Sequence, residues 1–262
     1  MTSEHIQEYD DAMIALLELV WGSGYMSPGG PGEIKMIVDG VQLAGKKVLD
    51  IGCGTGGIDQ FLAKTFNPKQ LVGIDVEIGL IERATERAKE NGLGEQLRFK
   101  CVEPGPLPFE DASFDVVFSK DAMVHIGDKE TLFEEVFRVL SPGGFIVACD
   151  WMSGTDEPYS EQMTYYIKAE GLDFGMASPR RYRAAMTAAG FADVQITDRN
   201  DWYGPLAHKE HEALSGPLYE RIVELVGREF ADQEIEVWRA LTVVVDSGEL
   251  RPSHMRAHKP AA

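Results

Sequence analysis

The stretch VLDIGCGTGG, at residues 48–57, decides the fold of this chain. An apolar strand ends there in an acidic residue, and a glycine-rich turn follows. Glycine has no Cβ, so it adopts positive φ angles and lets the backbone approach a ligand closely. The first N–H groups of a helix that begins after the turn would face a bound molecule. The stretch therefore predicts a site for a nucleotide-like ligand, with Asp50, Gly52 and Gly54 as candidate binding residues.

Apolar runs of strand length alternate with segments of helical period from residue 46 to about 150. This alternation predicts an α/β fold, a Rossmann-like, doubly wound and mostly parallel seven-stranded sheet with crossover helices. We expect a sixth strand at Val194–Thr197 and a closing edge strand at Ser253–His258. Ligands in such sheets bind at the carboxyl ends of the strands, where the chain order reverses. The candidates at these ends are Asp50, Asp75, Val76, Val102, Glu103 and Ser119.

Two segments are expected to cover the strand ends. Residues 1–40 predict N-terminal lid helices before a core at 41–262, and the core carries a substrate-covering insertion at about 151–190. Lids of this kind exclude water and complete a reactive site. The alternative for the N-terminal segment is an ordinary packing helix with a linker. Its apolar positions at helical spacing are Ile6, Met13, Leu16, Leu17 and Val20.

The chain has 262 residues and a formal net charge of −18. Nucleic acids and anionic lipids are normally bound by clustered Lys and Arg, so this charge argues against both partners. It favours solubility and gives only weak support to a cationic substrate. No apolar run approaches the roughly eighteen residues that cross a membrane, and residues 1–8 lack the features of a signal peptide. We expect a cytoplasmic protein, either a monomer or a homodimer.

The sequence does not indicate disulfide bridges or a metal site. Cys53, Cys101 and Cys149 lie far apart in or beside strand-like runs, which is typical of buried thiols in a reducing compartment. His208 and His211 are three residues apart, but a convincing third ligand is missing.

Three features together resemble the class I S-adenosylmethionine-dependent methyltransferases: Asp50 before the first glycine, Asp75 at the end of QLVGID (70–75), and LSPGG (140–144) before an apolar run. The resemblance implies that the glycine loop lies under the methionine and ribose parts of S-adenosylmethionine, with S-adenosylhomocysteine as the product. It also implies that Asp75 accepts hydrogen bonds from both ribose hydroxyls, as a carboxylate can.

Two other functional classes remain open for the same residues. Gly52, Gly54 and Gly57 also satisfy the G-x-G-x-x-G pattern of NAD-dependent oxidoreductases, although the sequence shows no nicotinamide half-site. A non-catalytic cofactor-binding scaffold is the other alternative.

From Tyr9 to about Asp150 the chain resembles a narrower group, the phosphoethanolamine N-methyltransferases. The resemblance is sharpest in the loop GYMSPGG (24–30) and in SKDAMVH (119–125). It implies that Tyr9 and His125 latch the lid and assist deprotonation, with Asp121 directed at the amine. Histidine titrates near neutral pH, which suits a general base. The remaining implied contacts are Met26 and Ser27 with the methionine part of the cofactor, and Glu103 near its adenine.

The chain differs from that family at the positions that bind the substrate phosphate, where the family has tyrosines, an arginine and a lysine. The approximate counterparts here are Trp151, Tyr166, Glu170, Leu172 and Leu241. Arg180, Arg181 or Arg183 could supply the missing charge, and we take Arg181 as the candidate. Without it, a phosphate would be buried unpaired near Glu170, which costs on the order of several kcal/mol.

Aromatic rings facing an ammonium group would each contribute about 0.5–2 kcal/mol. The candidates for the substrate pocket are Trp21, Tyr25, Trp151, Tyr165, Tyr166, Trp202 and Tyr203. The sequence thus predicts N-methylation of a small amine, either phosphoethanolamine-like or not phosphorylated. Methylation at carbon, oxygen or sulfur remains an alternative because class I cores host all of these reactions.

Overall fold

The computed structural model describes residues 9–156, 158–172 and 174–261. Its strands are β1 (Lys47–Ile51), β2 (Gln70–Asp75), β3 (Leu97–Cys101), β4 (Phe114–Lys120), β5 (Leu140–Ser153), β6 (Ala192–Asp198) and β7 (Leu250–His258). The helices are α1 (Asp11–Trp21), α2 (Gly30–Ile37), α3 (Gly57–Phe66), α4 (Ile78–Glu90), α5 (Lys129–Val139), α6 (Glu161–Glu170), α7 (Pro179–Ala189), α8 (Asn200–Ser215), α9 (Tyr219–Val226) and α10 (Arg228–Asp246).

The strands form one seven-stranded sheet in the order β3-β2-β1-β4-β5-β7-β6. Strands β1 to β5 pair in parallel, and β7 is antiparallel to both of its neighbours. The chain order reverses between β1 and β4, so the carboxyl ends of these strands form the crevice where such sheets bind ligands. The predicted α/β fold with a mostly parallel sheet is confirmed.

The prediction that Ser253–His258 closes the edge of the sheet was wrong. Strand β7 pairs with β5 on one side and with β6 on the other, and Met255 lies opposite both Ala148 and Ile196. Met255 and Ala257 are buried, whereas β6 carries mostly exposed or half-buried side chains. The last strand therefore occupies the more buried position, and the sixth strand forms the edge.

The predicted lid segment packs on the C-terminal helices. Leu16 and Leu17 of α1 share an apolar cluster with Tyr203 of α8 and Trp238 of α10. Helix α1 begins at the cap Asp10, whose side chain accepts a hydrogen bond from the Met13 N–H, and this satisfies one of the free N–H groups at the helix start. Ile6 lies outside the described residues.

The interval 151–190 contains two helices with different surroundings. Helix α6 packs against α10, on the side of the lid segment, whereas α7 packs against α5 beside the sheet. Among the described residues, no helix is both long and apolar enough to cross a bilayer.

Helix α2 is tied to the C-terminal part of the chain by a buried ion cluster. Glu33, 3% exposed, accepts hydrogen bonds from Arg199 at 2.8 and 2.9 Å and contacts the His254 ring. Burial alone would raise the pKa of Glu33, but the hydrogen bonds and charges of His254 and Arg199 outweigh it and lower the pKa to about 2.

Replacing Glu33 with Gln is expected to lower the free energy of unfolding at pH 7 by about 1–3 kcal/mol, because the half-buried Arg199 guanidinium loses its counter-charge and the His254 ring loses its carboxylate partner. The folded pKa lies below the ordinary value of 4.5, so this stabilisation is present above pH 4.5 and is lost as the pH falls towards about 2. Urea unfolding curves at pH 7 and pH 4 measure both effects. Glu212→Gln, at an exposed position on α8, is the control. Equal losses in both variants would contradict the assignment.

Candidate active site

The glycine turn after β1 has no room for side chains. Gly52 has φ +78°, and a Cβ there would lie 2.1 Å from the Cβ of Ala122. Gly54 has φ +53°, and its Cβ would lie 2.9 Å from Met26 Sδ of the lid loop. The turn is therefore packed between the end of β4 and the predicted lid, and only glycine fits both contacts.

Asp75, at the end of β2, supports this turn. Its two carboxylate oxygens accept hydrogen bonds from the N–H groups of Gly54 at 3.0 Å and Glu77 at 3.1 Å. Burial raises the pKa of Asp75, and these backbone hydrogen bonds oppose the rise. Each oxygen keeps a further lone pair, so the carboxylate can still accept hydrogen bonds from a ligand.

Asp50 and Asp59 form a buried carboxyl pair beneath the turn. Asp50 is 2% exposed, and its Oδ1 has no hydrogen-bond partner among the described residues. Burial and the neighbouring charge of Asp59 raise the pKa of Asp50 well above its ordinary value. The pair therefore holds a proton more tightly than an exposed carboxyl does, because two adjacent buried carboxylates cannot both ionise cheaply.

The remaining cofactor candidates differ in how accessible they are. Val76 is 47% exposed, Glu103 is exposed and Val102 is half-buried beside the end of β2. Ser119 is fully buried, and its hydroxyl donates to the Ile51 carbonyl at 2.7 Å. The Ser119 hydroxyl group therefore forms a hydrogen bond within the sheet, between β4 and β1.

Asp121 is held in an unusual conformation at the end of β4. Its φ of +56° lies in the left-handed region, which Asp tolerates better than most residues. Its Oδ2 pairs with Lys120, and Lys120 Nζ also donates to Ser27 Oγ at 3.0 Å. Asp121 Oδ1 has no hydrogen-bond partner among the described residues, although the side chain is only 4% exposed. A buried oxygen is thus left available to a ligand.

His125 lies in a single 3₁₀ turn, Met123–His125, that buried polar groups hold in place. Asp150 accepts a hydrogen bond from the Val124 N–H at 3.0 Å, and Lys129 Nζ donates to the carbonyls of Met123 and Ile126, each at 2.6 Å. Lys129 was not among the predicted site residues. Its burial is unusual, because lysine side chains are rarely fully buried. The apolar positions around it on α5 were the only sequence feature that could have indicated this burial.

A cavity of about 80 Å³ brings the predicted catalytic residues together: Tyr9, Asp121 and His125 all line it. Six other predicted residues line the same cavity, namely Trp21, Met26, Ser27, Trp151, Tyr166 and Tyr203. Glu170, Leu172 and Leu241, the counterparts of the phosphate-gripping residues, also line it. The side chains come from the lid segment, the end of β4, β5, α6, α8 and α10.

Two predicted substrate residues, Tyr25 and Arg181, lie elsewhere, and the candidate aromatic residues Tyr165 and Trp202 do not line the cavity either. Tyr25 packs with the apolar cluster around β1 and lines a separate groove beside α3 and α4. Arg181 forms an ion pair with Glu130 at 2.9 Å and donates to the Gly127 carbonyl, because α7 packs beside α5 rather than over the strand ends. We therefore leave Arg181 and Tyr25 out of the substrate site.

Sequence reasoning missed several residues of the cavity wall. Trp238 and Glu234 of α10 line it, as does Phe174. Both tryptophan rings at the wall donate to one buried carboxylate: Trp21 Nε1 lies 2.7 Å and Trp238 Nε1 3.3 Å from Glu210. The helical spacing of Glu234, Trp238 and Leu241 on one face of α10 was the only signal.

A family described as a methyltransferase domain matches residues 42–202, more than half of the chain. The chain belongs to this family. The matched part of the methyltransferase domain contains the glycine turn, Asp75, Asp121 and His125, and it leaves out the lid segment and α9 and α10.

Relatives of this methyltransferase domain include phosphoethanolamine N-methyltransferase 1 of Arabidopsis thaliana, 33% identical over 89% of this chain. The chain spans about half the length of that relative, 46% of it. The Plasmodium falciparum phosphoethanolamine N-methyltransferase is 27% identical, over 79% of this chain and 77% of the relative.

Among solved structures, the phosphoethanolamine N-methyltransferase 2 of Haemonchus contortus is similar to this chain, with a TM-score of 0.88. That structure contains phosphomonomethylethanolamine and S-adenosylhomocysteine. The likeness covers 97% of this chain and 59% of the other at 23% identity, so it bears on the fold alone.

Proposed function

We propose that this chain is an S-adenosylmethionine-dependent methyltransferase that methylates the nitrogen of a small amine. The observation that carries the proposal is the cavity that brings Tyr9, Asp121 and His125 together, although Tyr9 comes from the lid segment and the other two from the end of β4. Membership of the methyltransferase domain family and the named relatives support it.

The residues at the strand ends fit the cofactor. Gly52 and Gly54 let the turn pack without side chains at positive φ angles, Asp75 has free lone pairs for ribose hydroxyls, and the Asp50 carboxyl lies beneath the turn. Met26 and Ser27 would close the site from the lid loop. When bound, S-adenosylmethionine supplies an electrophilic methyl group on a positively charged sulfur and leaves as S-adenosylhomocysteine.

The side chains of the cavity have to bind the amine, keep it neutral and take its proton. Asp121 Oδ1 can accept an N–H of the acceptor and so aim the nitrogen lone pair. His125 serves as the general base, and Tyr9 lines the same cavity. The lone pair forms the new N–C bond, the electrons of the broken C–S bond stay on sulfur, and the proton passes through His125 to solvent.

We also propose that the protein acts in the cytoplasm on a small molecule and not on nucleic acid, as a monomer or homodimer. Its thiols are unpaired, as in a reducing compartment. Its net charge of −18 opposes binding to phosphate backbones.

Calorimetry tests the cofactor assignment. We expect S-adenosylmethionine and S-adenosylhomocysteine to bind with dissociation constants on the micromolar scale, about −8 kcal/mol in free energy. Heat with NADH and none with either sulfur compound would favour the oxidoreductase alternative. Incubation with labelled cofactor and a panel of amines, thioethers, catechols and carbon acids then identifies the acceptor atom by mass. Label on a catechol or carbon acid alone would contradict the nitrogen assignment.

A further inference from the structure

We propose that the methyl acceptor is an unphosphorylated diamine: one nitrogen reacts beside Asp121 and His125, and the second, protonated nitrogen is held by Glu170 and Glu234. This inference rests on the proposed function and names the substrate class of the same cavity. The reaction is unchanged, and only the acceptor is specified.

Among the residues that the structure describes, the cavity wall carries two carboxyl groups without a cationic side chain beside them. Glu170 and Glu234 both line the cavity, and among the described residues no Lys or Arg does. Asp121 has its own counter-charge in Lys120, which is buried behind it. No cation acts on Glu170 or Glu234 in the described part of the chain. A ligand bound between them therefore meets two carboxyl groups and, among the described residues, no fixed cation.

The titration of these two groups agrees with a missing cation. Burial raises the pKa of Glu170 to about 8, the charge of Glu234 adds to the rise, and a hydrogen bond from Tyr166 opposes it. Burial and the charge of Asp10 raise the pKa of Glu234 to about 7. An ammonium group would reverse both shifts, whereas a phosphate would bring negative charge to a wall that offers it no cation among the described residues.

A separate observation points to a ligand with N–H groups. Asp121 lines the same cavity, and its Oδ1 has no hydrogen-bond partner among the described residues, although the side chain is 96% buried. A buried carboxylate oxygen left without a donor is costly, so it marks a place where a bound molecule supplies one.

The aromatic wall is also suited to a cation. The rings of Trp21 and Trp238 lie 5.9 Å apart, and their N–H groups share the Glu210 carboxylate behind them. A carboxylate that accepts a hydrogen bond from an indole increases the electron density of the ring. Because a cation is attracted by the negative face of an aromatic ring, this arrangement strengthens the attraction.

The Phe174 ring lies between the His125 end of the cavity and the Tyr166 end. The Phe174 ring lies 5.4 Å from the His125 ring and 6.4 Å from the Tyr166 ring, centroid to centroid. Tyr166 lies four residues before Glu170 on α6, so the two side chains share one face of that helix. A short aliphatic chain therefore connects the reacting nitrogen at His125 to a second nitrogen at Glu170.

The test compares acceptors of equal size with labelled cofactor and the wild-type protein. Diaminopropane and butylamine have the same number of heavy atoms and differ in one terminal cation, and ethanolamine and phosphoethanolamine differ in the phosphate. We expect kcat/KM for diaminopropane to exceed that for butylamine by about 30-fold, the effect of a buried charge pair. Phosphoethanolamine is expected to be a poorer acceptor than ethanolamine.

Glu170→Gln and Glu234→Gln are each expected to lower the preference for diaminopropane over butylamine by about tenfold or more, chiefly through KM. Glu229→Gln, at an exposed position on α10, should leave the preference unchanged. A wild-type protein that prefers butylamine or phosphoethanolamine overturns the diamine inference and leaves the proposed function standing. Absence of both cofactor binding and methyl transfer overturns the proposed function itself. The comparison of acceptors with the wild-type protein tests the diamine inference even if a variant does not fold.

Discussion

Replacement of His125 with alanine is expected to lower kcat for methyl transfer by about 10²- to 10⁴-fold, the usual contribution of a general base. The imidazole lines the cavity beside Asp121 and Tyr9, and Asp150 and Lys129 hold the turn that carries it. Cofactor affinity should change by less than about threefold, because a base acts on the acceptor rather than on the cofactor. Single-turnover rates with labelled cofactor and calorimetry measure the two quantities separately.

His208→Ala is the matched control for this experiment. His208 is exposed on α8 and paired with Asp246 at 3.0 Å, away from the cavity. We expect His208→Ala to retain the wild-type kcat. The two single variants Tyr9→Phe and His125→Ala are each expected to lose activity. Unchanged turnover in both the Tyr9 and the His125 variants would remove these residues from the mechanism.

Replacement of Gly57 with alanine is expected to weaken cofactor binding by about 10- to 100-fold, because overpacking of this size typically costs 1–3 kcal/mol. A Cβ at Gly57 would lie 2.2 Å from the carbonyl oxygen of Gly24 and 2.4 Å from its carbonyl carbon. That carbonyl accepts hydrogen bonds from Gly57 N–H at 3.2 Å and from Thr55 Oγ1 at 3.1 Å. Backbone atoms cannot rotate away, so the loop at residues 22–29 has to lift from α3.

Gly79→Ala provides the control because Gly79 also lies in the first turn of a helix, and a Cβ there meets nothing within 4 Å. Alanine should stabilise that helix slightly, by up to about 1 kcal/mol, without changing cofactor affinity. Limited proteolysis of the loop and calorimetry measure the two effects. A Gly57→Ala protein with wild-type affinity and a protected loop would show that this contact does not serve cofactor binding.

The sheet could be predicted from the sequence because its signals are local. A strand of apolar residues, an acidic residue and a glycine-rich turn lie within residues 48–57, and in the structure β1 ends and α3 begins within that stretch. The exchange of β6 and β7 could not be predicted in this way. Met255 pairs with both Ala148 and Ile196, and these residues are far apart in the chain. This strand order depends on how apolar side chains are buried across the whole sheet.

At the substrate end of the cavity, too, some residues could be predicted from the sequence and others could not. Tyr166 and Glu170 were named from approximate alignment and do line the cavity, while Arg181 does not, because α7 turns the guanidinium towards Glu130. Glu234 and Trp238 carry no motif. Only the packing of α10 against α6 and α8 places them at the wall.

The sequence by itself determined the parallel core, the glycine turn and the acidic residues at the strand ends, because periodicity and the steric demands of a tight turn act between near neighbours. The tertiary structure alone decided the charge balance of the cavity. Glu210 meets Trp21 across 189 residues of chain, and neither Glu170 nor Glu234 reveals in the sequence that it lacks a cation. The electrostatic environment of a buried group depends on everything within a few ångströms of it, and folding brings those neighbours from every part of the chain.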